Sequence, residues 1–584
     1  MIQLLKYLKK IKGPAAAAMV FAVLSQLGSL VLPLLMSMIV NNGIKNEDTE
    51  YIKKIGIIMM CVSAFAVIIA AFNSYFSSKT SALYGKMLRR ELFLKVESLS
   101  QRDIDIIGTP SLITRCTNDV RVFQDFILQG LRMIISAPIM LVGGIVMAFI
   151  MNPTLSMIIF AVMPIIGIIV AVVLKIVMPI FRKRQKLVDS INRFIREKLA
   201  GIRVIRAFNR SEFEDARFDK ENEALSALTL KFQRLMSVLI PTCIVLIITA
   251  LDILIICAAK SIDKLDHITQ ATELTNSIGN LQAFVVYMIM IVFSFTMAAA
   301  MFVIVPRARI SAKRIVEVLS LEPSVKDKEN VREVEEDKKG TVEFRNVTFG
   351  YESVNNPAVR NISFTAEKNK VTAIIGGTGS GKSTIINLIT RFYDVNEGQV
   401  LFDGVDVRDL RQADLHKRIG YVSQKACLFS GSIKENLLYG DENASDERLR
   451  KAVEISQSAE FIDKMPDGID SFVSQSGTNL SGGQKQRLSI ARALTRDAEL
   501  YIFDDTFSAL DFKTDAALRR AIKDNINATV IIVAQRVGTI IDADKIIVMD
   551  KGEIVGTGKH CELMENCDVY KEIYSSQIQE EVGA

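Results

Sequence analysis

Apolar and polar positions divide the chain into two halves with different patterns. In the first half, six apolar stretches are each long enough to cross a hydrocarbon core, which needs about 20 helical residues. They run approximately over residues 14–40, 55–75, 133–151, 155–178, 236–259 and 281–306. The pattern therefore predicts an all-α transmembrane domain of six helices over residues 1–323.

Basic residues decide which ends of these spans face the cytoplasm. Lys and Arg are concentrated at the N-terminus and in the segments that follow Phe76, Met178 and Pro306. Cytoplasmic segments of membrane proteins carry such an excess of positive charge. The distribution predicts a multi-pass protein among the lipids of the cell membrane, with both termini and the second half of the chain in the cytoplasm.

Two charged insertions separate spans within the first half. Roughly 50 residues lie between the second and third spans and again between the fourth and fifth, and neither insertion has a convincing core of its own. If each insertion forms two antiparallel helices of about 25 residues each, the pair would project roughly 35 to 40 Å from the membrane at 1.5 Å per residue. We expect long cytoplasmic extensions of the membrane helices, and an independent loop domain is the alternative.

The second half changes to short β-branched runs that alternate with helical stretches. A charge-rich segment without apolar periodicity, residues 324–340, is predicted to be a linker. Over residues 341–584 the alternation is typical of a soluble α/β domain with parallel strands. The net charge of +6 is modest for 584 residues. The positive-inside bias accounts for it, and we expect no nucleic-acid partner.

The sequence GGTGSGKST carries the first chemistry of this domain. It matches GxxxxGK[ST] and stands between the strand VTAII and the helical TIINLITRFY, as a phosphate-binding P-loop must. Backbone N–H groups would cradle phosphates, Lys382 would reach the β- and γ-phosphates, and Ser383 would bind Mg²⁺. The predicted nucleotide-binding residues are Gly376, Gly377, Thr378, Gly379, Ser380, Gly381, Lys382, Ser383 and Thr384.

A second motif, NLSGGQKQRLSIARAL, identifies the family that the chain resembles. It is the signature sequence of ATP-binding cassette (ABC) proteins, and Ser481, Gly482, Gly483 and Gln484 open a helix that would offer donors to an anion. Nearly the whole chain resembles an ABC half-transporter of the exporter type, with a P-loop NTPase domain after the spans. The resemblance implies ATP and Mg²⁺ as cofactors. It also implies that two cassettes pair head to tail, each ATP lying between one P-loop and the other signature.

Further positions match the pattern of that family one by one. Tyr351 resembles the aromatic residue that stacks on adenine, and Gln424 resembles the glutamine that senses Mg²⁺ and the γ-phosphate. Asp504 resembles the aspartate that binds Mg²⁺, and Asp511 ends the SALD loop that crosses to the partner. The resemblance also implies two short coupling helices that dock on the cassettes, which we expect near residues 103–111 and 209–218.

Two positions depart from the family pattern in the same site. The residue after Asp504 is ordinarily a glutamate that polarises the attacking water, and Asp505 is shorter by one methylene. Base catalysis depends on contact at roughly 2.6 to 3.2 Å. The usual switch histidine is Gln535, which can donate a hydrogen bond to a γ-phosphate but cannot take up a proton. The two residues predict a site that binds ATP and hydrolyses it slowly.

The intact signature beside a weakened base favours an asymmetric transporter. The chain resembles the degenerate-site subunit of heterodimeric bacterial multidrug exporters. That resemblance implies a second half-transporter with the missing Glu and His, and export of small amphipathic or hydrophobic molecules. A homodimer with two slow sites is one alternative, since aspartate is still a weak base, and an ATP-gated channel or regulatory subunit is another. Asp252 in the fifth span would favour cationic substrates, or would serve helix packing or lie near the interface.

Overall fold

The computed structural model describes residues 1–582 except 152, 264–270, 333, 335–338 and 352–355. These residues form two compact units. The first unit consists of Met1–Lys95 and Pro110–Leu321, and the second consists of Val96–Thr109 and Glu322–Ala584. A short segment from the first part of the chain therefore belongs to the second unit.

Helices account for the regular structure that is described in the first 321 residues. One-turn 3-10 or π segments join several of them. The α-helices are Ile2–Leu5, Lys12–Met38, Thr49–Glu97, Gln101–Ile107, Thr109–Thr114, Val120–Gln129, Ile135–Met151, Pro153–Ala200, Ile202–Ala207, Ser211–Asp263 and Ala271–Ser320.

Three described helical stretches are long and apolar enough to cross a membrane. They are Ile2–Ile44, Thr49–Glu97 and Thr109–Met151, and Gly279–Phe295 is a shorter apolar helix. These stretches agree with the apolar segments of the sequence, while the total of six spans stays a prediction.

The helices on either side of the charged insertions continue far beyond a bilayer. Thr49–Glu97, Pro153–Ala200 and Ser211–Asp263 have 49, 48 and 53 residues. At 1.5 Å per residue each is more than 70 Å long, about twice the thickness of a hydrocarbon core. The expected helical extensions are confirmed, and the alternative of an independent loop domain is wrong.

Small residues allow the membrane helices to approach closely. A Cβ on Gly143 would lie 2.4 Å from a methyl carbon of Leu30, and one on Gly144 would lie 2.8 Å from Ile291. Tyr287 is fully buried and donates a hydrogen bond from its hydroxyl to the carbonyl of Leu30 at 2.8 Å. Close backbone approach and such polar contacts are what hold helices together in lipid.

Short helices occur near both positions expected for coupling helices. The first, Gln101–Ile107, begins with a capping box between Ser100 and Asp103. Near the second expected position, residues 209–218, the short helix is Ile202–Ala207, and a long helix begins at Ser211. The left-handed backbone of Asn209, at φ 50°, separates these two helices. The docking role of both short helices stays a prediction.

The second unit is an α/β domain with three sheets. The larger two have the strand orders β12-β11-β3-β10-β9-β6 and β2-β1-β4-β5, and β7 pairs with β8. Their bounds are β1 Val342–Phe349, β2 Val359–Ala366, β3 Val371–Gly376, β4 Glu397–Phe402, β5 Val405–Asp406, β6 Ile419–Val422, β7 Gly431–Ser432, β8 Phe472–Val473, β9 Leu500–Asp504, β10 Thr529–Ala534, β11 Lys545–Asp550 and β12 Glu553–Gly558. The predicted parallel strands are confirmed, because β6, β9, β10, β3 and β11 pair in parallel.

Helices connect these strands, as parallel pairing requires. From residue 322 onward the α-helices are Lys382–Ile389, Gln412–Lys417, Ile433–Leu438, Asp446–Ile455, Ala459–Ile462, Gly482–Thr495, Phe512–Asn525, His560–Asn566 and Asp568–Val582.

Candidate nucleotide-binding site

Three neighbouring strands place the candidate site at one edge of the six-stranded sheet. β10 pairs in parallel with β3 on one side and with β9 on the other. These strands end at Ala534, Gly376 and Asp504. Because the carboxyl ends of parallel strands meet at the same edge, the P-loop, the aspartate pair and the switch position come together there.

The P-loop has the shape that a phosphate group needs. Gly379 and Gly381 have left-handed backbones, with φ of 82° and 99°. A Cβ on Gly381 would lie 2.6 Å from Val359, so this turn needs glycine there. Gly381 is also the N-cap of the helix Lys382–Ile389, whose first-turn N–H groups are therefore available to an anion.

The side chain of Lys382 folds back against the P-loop. Its Nζ donates hydrogen bonds of 2.7 Å to the carbonyls of Gly376 and Gly377. Burial lowers the pKa of Lys382, and the negative charges of Asp505 and Asp504 oppose that shift. The buried ammonium beside an open loop fits a polyphosphate ligand.

The aspartate pair fits a divalent cation. Asp504 is 6% exposed and Asp505 is 9% exposed. Burial and the charge of Asp505 raise the pKa of Asp504 to about 6, while Lys382 opposes the shift. Two adjacent buried carboxylates are costly without a cation, and oxygen ligands are what Mg²⁺ prefers. Asp504, the exposed hydroxyl of Ser383 and the Gln424 amide are the residues that could hold it.

Asp505 and Gln535, the two departures from the family pattern, are hydrogen-bonded to each other through one carboxylate oxygen of Asp505. Oδ2 of Asp505 accepts a hydrogen bond of 2.7 Å from Nε2 of Gln535 and one of 3.1 Å from Nε2 of Gln424. Burial raises the pKa of Asp505, and the bond from Gln424 and the charge of Lys382 oppose it. The sequence predicted a weakened base here, but it did not predict that two amides would share its carboxylate.

Tyr351 lies beside the P-loop helix, where an adenine stacker is expected. Its hydroxyl is 3.2 Å from Oγ1 of Thr384 and accepts a hydrogen bond of 3.2 Å from Nδ2 of Asn387. Its ring packs at nearly right angles to the rings of Phe349 and Tyr393. The side chain is 40% exposed, which leaves ring surface for a base.

Tyr393 is a site residue that sequence reasoning missed. It is 5% exposed, and its hydroxyl donates a hydrogen bond of 2.6 Å to Oδ2 of Asp105 in the short helix Gln101–Ile107. Burial and the carboxylate of Asp105 raise the pKa of Tyr393. Tyr393 therefore contacts both Tyr351 and the first short helix. The only signal in the sequence was its place just after the P-loop helix.

We expect Tyr393→Phe to loosen the short helix without loss of nucleotide binding. The ring against Tyr351 remains, while a hydrogen bond to a carboxylate, worth about 1.5–3 kcal/mol, is lost. Hydrogen–deuterium exchange in residues 101–107 should rise by about tenfold or more, with ATP affinity within about twofold of the parent. Tyr351→Phe is the matched control, because it removes a hydroxyl that does not contact Asp105. Unchanged exchange in residues 101–107 would contradict the expectation.

The signature motif forms a capped helix start, as predicted. Oγ of Ser481 accepts from the N–H of Gln484, and Oε1 of Gln484 accepts from the N–H of Ser481 at 2.8 Å. Gly482 is exposed, and a Cβ there would meet no atom within 4 Å. Asp511 caps the next helix by accepting from the N–H of Thr514. The side chains of Gln484 and Asp511 are thus engaged within the chain.

The P-loop and the signature are formed by different elements of the domain. The P-loop joins β3 to the helix Lys382–Ile389, and the signature begins the helix Gly482–Thr495. The head-to-tail pairing that the resemblance implies stays a prediction.

Comparisons with known proteins agree with both halves of the chain. A family model of the ABC transporter transmembrane region matches residues 16–295, and an ABC transporter model matches residues 359–508. An uncharacterized ABC transporter ATP-binding protein of Mycobacterium tuberculosis strain H37Rv is 36% identical over 576 residues, 98% of this chain and 97% of that protein. The chain belongs to the ABC transporters.

This ABC transporter is also similar in sequence to a flippase and in fold to a solved exporter structure. The ATP-dependent lipid A-core flippase of Haemophilus influenzae strain 86-028NP is 30% identical over 577 residues, 98% of this chain and 96% of that protein. The solved structure of a bacterial Atm1-family ABC exporter with ATP bound has a TM-score of 0.77 at 22% identity, over 97% of this chain and 98% of that one. The fold is that of an Atm1-like exporter.

The ABC transporter described here thus combines a transmembrane region and an ABC transporter domain in one chain, with the fold of an Atm1-like exporter. Its ABC ATPase domain binds ATP, normally with Mg²⁺, and couples ATP hydrolysis to transport. ABC exporters function as dimers.

Proposed function

We propose that the chain is one subunit of a heterodimeric exporter, and that its own P-loop site binds ATP and hydrolyses it slowly. The observation that supports this proposal is the double hydrogen bond on Asp505, from Gln424 and from Gln535. Burial raises the pKa of Asp505, and hydrogen bonds to its carboxylate stabilise the charged form and so oppose that gain in basicity. The oxygen that would take a proton from water is already held by two amides.

Each residue of this site has a role that follows from its chemistry. The P-loop N–H groups and Lys382 bind the phosphates, and Tyr351 stacks on adenine. Mg²⁺ bound by Asp504, Ser383 and Gln424 would neutralise charge on the phosphates. Gln535 orients the γ-phosphate through its amide, but it cannot store the proton that hydrolysis releases. The site therefore has every group needed to bind ATP, and proton transfer is the step that slows hydrolysis.

The competent site in this proposal combines the signature of this chain with the P-loop of its partner. Ser481, Gly482 and Gly483 present an exposed helix start, where N–H groups and the helix dipole favour a phosphate. The partner would contribute the glutamate base and the switch histidine. Hydrolysis at one site and prolonged binding at the other would then drive the transport cycle.

The decisive experiment measures ATP turnover by this chain alone and together with the half-transporter encoded beside it. We expect slow turnover by the chain alone, much faster turnover by the complex, and little change in the complex when Asp505→Asn is introduced in this chain. Fast hydrolysis by the chain alone that Asp505→Asn abolishes would overturn the slow-site proposal. Slow turnover with or without any partner would favour a homodimer with two slow sites.

The proposed cargo is a small amphipathic or hydrophobic molecule moved out across the cell membrane, with six spans and both termini in the cytoplasm. The 30% identity with a lipid A-core flippase supports an amphiphilic cargo. ATP-dependent accumulation of a fluorescent amphiphile in inverted vesicles is expected. A passive ion conductance gated by ATP, without accumulation, would indicate a channel instead.

A further inference from the structure

The C-terminal helix Asp568–Val582 contacts the loop that carries the switch residue. We call residues 535–539 the switch loop. Oε1 of Gln577 accepts a hydrogen bond of 2.8 Å from the N–H of Val537, and its Nε2 donates one of 2.7 Å to the carbonyl of Gln535. One side-chain amide thus bonds the main chain on both sides of Arg536. Arg536 is extended, at φ −104° and ψ 130°, so Gln577 pairs with it as a neighbouring strand would.

Packing fixes the helix from which Gln577 projects. Tyr570 is fully buried, and its hydroxyl is 2.9 Å from Nδ1 of His560. Ile573 and Tyr574, on the next turn, pack against the hydrophobic core that also contains Val537. Because this helix is fixed by packing, the position of the Gln577 side chain is fixed as well. Its two hydrogen bonds therefore constrain the switch loop more than hydrogen bonds from a mobile surface residue would.

The switch loop has a second contact, made by the side chain of Arg536. The guanidinium of Arg536 lies over the ring of Phe512, 5.6 Å from the ring centre. Phe512 directly follows Asp511 and begins the helix Phe512–Asn525. The switch loop therefore contacts both the C-terminal helix and the start of that helix.

The main-chain contact continues into the nucleotide site. The carbonyl of Gln535 is bonded to Gln577, and the side chain of the same residue donates to Oδ2 of Asp505. Asp505 in turn accepts from Gln424. A continuous set of hydrogen bonds thus runs from the C-terminal helix through the switch residue to the carboxylate in the base position.

We propose that Gln577 is a positioning residue of the ATP site: it holds the switch loop so that the amide of Gln535 lies where a γ-phosphate is recognised. The inference rests on the proposed ATP site, but it does not depend on slow turnover there. Gln577 itself touches neither nucleotide nor reacting atoms. Its loss should therefore affect ligands that carry a γ-phosphate and spare those that lack it.

The test compares two nucleotides on the purified full-length chain. For Gln577→Ala, calorimetric titration should show affinity for the magnesium complex of AMP-PNP, a non-hydrolysable ATP analogue, about fivefold weaker. Affinity for Mg-ADP should stay within about twofold of the parent, because ADP makes no γ-phosphate contact. Gln577→Glu should behave like Gln577→Ala, since its second oxygen would face the Gln535 carbonyl without a proton to donate.

Ser576→Ala is the matched control, on the same helix and one residue away, because among the described residues the Ser576 hydroxyl bonds within its own helix, to the Ile573 carbonyl. Hydrogen–deuterium exchange on the nucleotide-free chain gives an independent readout. Exchange in residues 535–539 should rise in Gln577→Ala and stay at the parent level in Ser576→Ala.

Equal weakening of both nucleotides together with a lower melting temperature would show that Gln577 only packs the helix, and would overturn the inference. Unchanged nucleotide affinities and unchanged exchange would overturn it as well. A parent chain that binds no AMP-PNP would instead contradict the proposed ATP site. In that case the exchange measurement alone would decide whether Gln577 holds the switch loop.

Discussion

The double variant Asp505→Glu with Gln535→His is expected to hydrolyse ATP about 100-fold faster than the parent chain at its own P-loop site. Glutamate extends the carboxylate by one methylene, and general-base contributions are typically 10²- to 10⁴-fold. Histidine removes the amide that now lies 2.7 Å from Oδ2 of Asp505 and adds a group that can hold a proton. Phosphate release by the purified chain measures the change.

Single variants separate the two contributions. Asp505→Glu alone should give a smaller gain, because the Gln535 amide can still bond the longer carboxylate. Replacing the base by asparagine in the same chain, as Asp505→Asn with Gln535→His, should abolish the gain. If the double variant is no faster than the parent, slow turnover has a cause outside these two residues, and the proposed role of Asp505 is wrong.

Gly482→Asp in the signature is expected to lower ATP turnover by the proposed heterodimer about 100-fold, although the P-loop of this chain is untouched. Removing or opposing one anion-stabilising group in an active site costs roughly that factor. A carboxylate at this helix start would face the phosphates of the ATP held by the partner and repel them. Turnover by the purified complex measures the loss.

Folding should survive this substitution, which makes the result interpretable. A Cβ on Gly482 would meet no atom within 4 Å. Gly482→Ala adds the same carbon without a charge, so it should keep most of the activity and the parent melting temperature. Full turnover by the Gly482→Asp complex would mean that this signature does not face the hydrolysing site.

Motifs with a fixed structural context were predictable from the sequence. The P-loop stands between a strand and a helix, and that context alone places Lys382 at a helix N-terminus. Asp505 and Gln535 were expected in the site because their positions match those of the catalytic glutamate and the switch histidine in the family that the chain resembles. The hydrogen bond between the Gln535 amide and the Asp505 carboxylate depends on the pairing of β9 with β10. No local sequence pattern encodes that pairing.

Residues that act through tertiary contacts were not predictable. Tyr393 and Gln577 belong to no motif, and their partners Asp105 and Gln535 are distant in sequence. Local backbone geometry was not predictable either. The left-handed conformation of Asn209 separates the short helix Ile202–Ala207 from the long helix that begins at Ser211, whereas the family resemblance implied a short helix near residues 209–218.

The long helices also have a mechanical consequence. Ser211–Asp263 contains Pro241, and a proline inside a helix is a natural place for a bend. The arm from Ser211 to Pro241 is roughly 45 Å long at 1.5 Å per residue, so a tilt of about 5° moves its tip by roughly 4 Å. A long helix therefore amplifies a small change in its tilt. The tilt leaves the hydrogen bonds within the helix intact, yet it displaces the far end of the helix by about the width of a methyl group.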